Sequence, residues 1–218
     1  ELIPAPLHSI HLKLTNKCNL ACTYCYAESG LCTSSPTLSI QELIKIAKPY
    51  FNTARSGDWE HALRVVKWIK ELGKDRSNLH LLVVAGYIHD IGWSGVAPEG
   101  KLDLDVVLEL EHKANKNSPK FIREVLEKLK FAEDEIQTVN KFVKAADKHE
   151  SVDDDEAIIV DSDALSKLNP EHLREKYNLE SFGKALQYLE TKIPGRLKTK
   201  KAKVLFSELF PKLKAELM

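Results

Sequence analysis

The run from Leu79 to Ile88 is apolar almost all the way round a helix, and it ends in His89-Asp90. A helix with no polar face has to be buried by neighbours on every side, so the rest of the chain must supply a shell around it. The segments on either side have the pattern for that task. Ala62, Val65, Val66, Ile69 and Leu72 recur at three and four residues, the stripe of an amphipathic helix, with Asp58 as its cap and His61 near its start. Ser39 with Glu42 forms a capping box ahead of Leu43, Ile44, Ile46 and Ala47, and Pro49 bends or ends that helix. Gly92 and Gly95 mark the end of the apolar run. Further helices are expected at about 103–115, 119–130, 133–149, 154–168, 170–191 and 199–217. Ser118-Pro119 and Asn169-Pro170 serve as N-cap and first-turn pairs, and Asp153 to Glu156 crowd acid into one first turn. The expected fold is all-α, a helical bundle.

The first 37 residues differ in kind. Ile10 to Thr15 alternates like a strand, four cysteines follow, and Thr33 to Thr37 reads as a linker. Two parts are therefore expected, a short non-helical or strand-containing arm at 1–37 and a helical domain at 38–218. The 32 basic and 32 acidic residues cancel, so net charge calls for neither nucleic acid nor an anionic membrane as partner. No apolar run approaches the roughly 20 residues that cross a bilayer, and no charged-then-apolar leader pattern is present, which places the protein in the cytoplasm.

The chemistry rests on His61, His89, Asp90 and an aspartate of Asp161-Ser162-Asp163. An imidazole and a carboxylate at adjacent helical positions can reach one ion at the helix edge, and two imidazoles with two carboxylates suit Fe, Mn, Co or Ni with coordination positions left open. The order His, His-Asp, Asp, with Arg64 after the first histidine and Ile91-Gly92 after the pair, resembles the HD superfamily of metal-dependent phosphohydrolases over about residues 38–218. The resemblance implies an HD-domain helical bundle that hydrolyses a phosphoester of a small metabolite, nucleotides foremost, by metal-activated water. A non-catalytic nucleotide-binding regulatory module is the alternative.

Periodicity favours Asp161 as the last ligand, because it shares a face with Ala157, Ile158, Ala164 and Leu165. The family motif favours Asp163, which is chosen here, with Asp161 kept as a supporting carboxylate or fallback. His112 and His149 fall where relatives place histidines for a second metal or the phosphate, and Lys113, Lys116, Lys144 and Lys148 beside them are candidate phosphate neutralisers. One group of nucleoside monophosphatases carries a glutamate where this chain has Trp93, so the resemblance implies the class and not that subfamily, and it names no general acid. His8, His11, His80 and His172 read as structural or exposed.

Cys18, Cys22 and Cys25 have the C-x3-C-x2-C spacing, with Tyr24 before the third, and resemble the radical S-adenosylmethionine enzymes, in which three thiolates hold a [4Fe-4S] cluster. Helices begin by residue 38 and no Gly-Gly-Glu segment follows, so neither the cluster nor S-adenosylmethionine is expected to work in this chain. The readings that remain are a radical-enzyme fragment, or an arm whose cysteines stay free or bind zinc with Cys32 as fourth thiolate.

Overall fold

A computed structural model describes residues 40–217. The cysteine arm, His8, His11 and the Ser39 half of the first capping box lie outside the described residues. Among those described, the chain forms nine α-helices and two short 3-10 turns, and the only β-pairing is an isolated parallel bridge between Leu102 and Tyr177. In order these are α1 (Ile40–Phe51), α2 (Asp58–Leu72), α3 (Leu79–Ile88), a 3-10 turn (Ile91–Trp93), α4 (Leu104–Lys128), α5 (Glu133–Lys148), α6 (Asp154–Ser166), α7 (Pro170–Lys176), a 3-10 turn (Leu179–Ser181), α8 (Phe182–Arg196) and α9 (Lys200–Leu217).

The run that opened the sequence is α3, and every residue from Leu81 to Ile88 is buried. Helices α2 and α5 pack on it, and α6 packs on both of them, so α2, α3, α5 and α6 make the central bundle. Helix α2 comes unusually close at Gly86, where a Cβ would stand 2.6 Å from Ile69 Cδ1. Helix α6 is also buried nearly all round, from Glu156 to Ser166, because α8 and α9 cover the side that α2 and α5 leave open. Ala164 and Leu165 of α6 join Leu189, Ile193, Phe210 and Leu213 in that second apolar layer.

Two start signals behave as read. Asp153 accepts from the Glu156 amide at 2.9 Å, and Asn169 accepts from the Glu171 amide at 2.8 Å. Three expectations are corrected. The two helices expected at about 103–115 and 119–130 are one, α4 (Leu104–Lys128), which runs straight through Ser118-Pro119. A mid-helix proline removes the one bond that its amide would give to residue 115, while Ala114, Ile122, Val125 and Leu126 keep the buried stripe continuous on both sides. Asp58 is not a cap: Gly57 precedes α2 in a left-handed conformation (φ 73), and the Asp58 carboxylate is taken by Arg55 and Lys176. The segment 170–191 breaks after Lys176, because Leu102 pairs there: its amide donates to Lys176 O at 3.0 Å and its carbonyl accepts from the Asn178 amide at 3.3 Å.

No helix among the described residues is long and apolar enough to cross a membrane. The turn after α3 is held against α4 by an absent side chain. A Cβ on Gly92 would stand 2.2 Å from Ala114 O and 2.3 Å from Ser118 Oγ. Gly92→Ala is therefore expected to lower stability by about 1–3 kcal/mol or more by overpacking against backbone. Gly183→Ala in α8, with nothing within 4 Å of the new Cβ, should be neutral or stabilising by up to about 1 kcal/mol. Denaturant unfolding of the two variants checks the contrast.

Candidate metal centre

Three helices deliver the predicted residues to one point. His61 sits in the first turn of α2, His89 caps the C-terminus of α3 with Asp90 following, and Asp163 lies on α6. Ligand atoms of His61, His89 and Asp163 all lie within 4.8 Å of one another, and all three residues are buried. His61 Nε2 is 3.1 Å from Asp163 Oδ1, and His89 Nε2 is 3.7 Å from the same oxygen. Asp90 Oδ2 stands at the edge, 3.7 Å from His61 Nε2 and 3.5 Å from His89 Nε2.

The hydrogen bonds behind the rings assign their protons. His89 Nδ1 faces the Gly86 carbonyl at 2.9 Å, which can only accept, so Nδ1 carries the proton. Ser166 Oγ donates to Asp163 O at 2.7 Å and is left to accept from His61 Nδ1 at 3.1 Å. Each ring therefore turns Nε2 inward as a lone pair, and His89 Nε2 is buried with no hydrogen-bond partner. Between His61 Nε2 and Asp163 Oδ1 two acceptors face each other at contact distance, an arrangement that a cation between them satisfies. Burial first, then the Lys176 ammonium, holds the His61 imidazole well below its usual range, so it is neutral and able to ligate. Two imidazoles with one or two carboxylates fit a divalent first-row ion.

Charged side chains surround this point. Burial alone would raise the Asp90 carboxyl, but Arg55 above all, then His89 and Lys176, holds it well below the usual carboxylate range. Arg55 Nη2 reaches Asp90 Oδ2 at 2.6 Å, its Nε bonds Asp58, and its guanidinium lies 3.8 Å from the Trp93 ring centroid. Lys176 Nζ donates to Asp58 and lies 3.5 Å from Asp90 Oδ2. Asp163 is likewise held low against burial, chiefly by Lys167, whose Nζ is 2.7 Å from Asp163 Oδ2.

Of the remaining predicted positions, His149 lines the pocket. It ends α5 in a left-handed conformation (φ 54), and burial, then Lys167, pushes its imidazole down to about 4. His112, Lys113, Lys116, Lys144 and Lys148 are exposed and do not line it. Helix α4 turns Val107, Leu108, Glu111 and Asn115 inward instead, and α5 turns Ala146 and Asp147. Asp161 is not beside the site: its carboxylate accepts from the Lys198 and Thr199 amides at 2.6 and 2.9 Å, on the far side of α6. His172, read as structural or exposed, is buried, lines the pocket and has its ring 5.0 Å from that of His61.

Sequence reasoning missed the pocket's cations, Arg55, Lys167, Lys176 and Arg196, and its acids, Glu111 and Asp147. Lys167 alone had a signal, four residues after Asp163 on one helix.

Asp147 is the odd acid. Burial, then Asp90, Asp163 and Glu111, pushes its carboxyl from 3.8 up to about 8. The native state thus holds a proton that the unfolded chain releases, and stability contributed by that proton is lost as pH rises between these two values. Asp147→Asn should therefore melt higher than wild type in metal-free protein at about pH 9, with the difference vanishing towards pH 4, as calorimetry across pH would show.

Comparison with curated proteins and with solved structures gives no match. The HD domain family matches residues 58–176, which run from the first residue of α2 to the last of α7 and hold His61, His89, Asp90 and Asp163. Over half of the chain is covered by that match, and the chain belongs to the HD domain family.

Proposed function

We propose that the chain is a metal-dependent phosphohydrolase that cleaves a phosphoester of a small metabolite, with nucleotides as the first class to test. The observation that carries this reading is the convergence of ligand atoms of buried His61, His89 and Asp163 within 4.8 Å of one another, with His89 Nε2 buried and without a hydrogen-bond partner. His61, His89 and Asp163 would hold the ion, with Asp90 beside them. A divalent ion in such a site polarises a phosphoryl oxygen and makes water acidic enough to attack at neutral pH.

The charge balance favours a phosphate monoester. Asp58, Asp90 and Asp163 are paired against Arg55, Lys167 and Lys176, so the frame is neutral while the Asp147 carboxyl keeps its proton. A divalent cation then leaves the pocket with the charge that a phosphate dianion cancels. Lys167 lies on the outer oxygen of Asp163, where it can also meet a phosphoryl oxygen. Asp147 takes the role of proton donor to the departing oxygen. It lines the same pocket, and in the metal-free protein burial, then the neighbouring carboxylates, raises its carboxyl to about 8.

Protein purified without added metal should carry about one equivalent of Fe, Mn, Co or Ni by elemental analysis, and should release phosphate from nucleotides when Mn(II) is supplied. Ser166→Ala, which removes the acceptor behind His61, should weaken metal binding by about 10- to 100-fold. A metal-free protein that hydrolyses nothing sinks the reading. Saturable nucleotide binding without phosphate release would assign a regulatory pocket instead. Asp147→Asn should cost at least about 100-fold in kcat on alkyl phosphates, and far less on 4-nitrophenyl phosphate, whose leaving group needs no proton. Equal losses on both would remove Asp147 from that role.

A further inference from the structure

The pocket has one wall that the family match does not reach. Helix α8 lies beyond residue 176, and Ala185, Tyr188, Leu189 and Arg196 of that helix line the pocket. These positions share one helix face, since Arg196 follows Ala185 by about three turns.

Arg196 differs from the pocket's other cations. Arg55 is paired with Asp58 and Asp90, Lys167 with Asp163 and Lys176 with Asp58. No carboxylate of the described residues lies within ion-pair distance of Arg196. Its guanidinium stands 5.2 Å from the Tyr188 ring centroid, and Nη2 donates to the Tyr188 hydroxyl at 2.6 Å. Stacking and one neutral hydrogen bond fix its direction and leave its charge and further N–H donors unused. A half-buried cation held in this way over a pocket is oriented for an anion before the anion arrives.

The neighbourhood supports that assignment. Lys167 and His149 line the pocket together with Arg196. Lys167 is committed to Asp163, which leaves Arg196 as the cation available to a second group. Leu104, Val107 and Leu108 of α4 line the pocket beside Glu111 and Asn115 and offer apolar surface to a short organic skeleton.

We propose that Arg196 is the specificity-determining residue of the pocket, and that the substrate is a phosphoester carrying a second anionic group, a phosphate or a carboxylate, which the Arg196 fork binds. This rests on the phosphohydrolase reading for the first group and adds the second.

The test compares matched probes with the Mn(II)-loaded full chain: glycerol 3-phosphate against glycerate 3-phosphate, and fructose 6-phosphate against fructose 1,6-bisphosphate. The first pair adds a carboxylate and the second a phosphate, so together they separate the two sources of charge. In wild type at least one two-anion probe should exceed its partner in kcat/KM by about tenfold or more. Arg196→Gln should reduce that ratio by about 10- to 100-fold, the size of a lost charge-assisted hydrogen bond, through KM. Arg196→Lys should retain part of it.

A wild type without preference in either pair, or a ratio unmoved in Arg196→Gln, overturns the subsite while leaving the phosphohydrolase reading intact. If neither these probes nor nucleotides are hydrolysed with any of Mn, Fe, Co or Ni, that reading falls, and the subsite is judged by calorimetry with the same probes. Tighter binding of a two-anion probe, lost in Arg196→Gln, then supports it, and equal binding overturns it.

Discussion

The structure depends on a buried surplus of lone pairs. His61 and His89 spend their ring protons on Ser166 and on the Gly86 carbonyl, and what they present to each other across Asp163 can only accept. Such a point is expensive to bury unless something positive occupies it, and it draws in elements that have no other reason to meet. Helix α3 is apolar on every side and delivers its one polar turn there. Helix α6 is buried on most sides and brings Asp163 to the same point. The cations around the point pair with the carboxylates and keep them ionised, and Lys176 also helps to keep the His61 imidazole uncharged, without filling the gap.

Much of this was legible in the sequence, for reasons that show where such reading stops. Helical periodicity identified α2 from the stripe it buries, and start signals such as the acids of Asp153 to Glu156 identified α6. The order of His61, His89, Asp90 and Asp163 was visible because each sits on such an element. The supporting charges were not, since Lys176 meets Asp58 and Arg55 meets Asp90 only after the chain has folded. Nearness in sequence misled for the lysines: Lys113 and Lys116 adjoin His112 but lie on the solvent side of α4, and Lys144 and Lys148 do the same on α5. Asp161 shows both halves of the lesson. Periodicity correctly placed it on a buried face, but that face looks towards the loop before α9 and not towards the imidazoles.

Proline and backbone pairing explain the two boundary errors. Pro119 deletes one hydrogen bond in a helix whose apolar stripe runs on regardless, so α4 continues. The break between α7 and α8 has the opposite origin: nothing local stops the helix at Lys176, and Leu102, a residue distant in sequence, claims the backbone there. That break lets α8 restart in a new direction and cover the pocket.

Asp161 has a consequence beyond its own two bonds. It sits two residues before Asp163 on α6, and it grips the amides of Lys198 and Thr199, two and three residues past Arg196. One helix therefore holds both Asp163 and, through Asp161, the chain just past Arg196. The spacing between those two side chains is tied to buried bonds as well as to the loop before α9. A molecule that met both would be selected by the distance between its own groups.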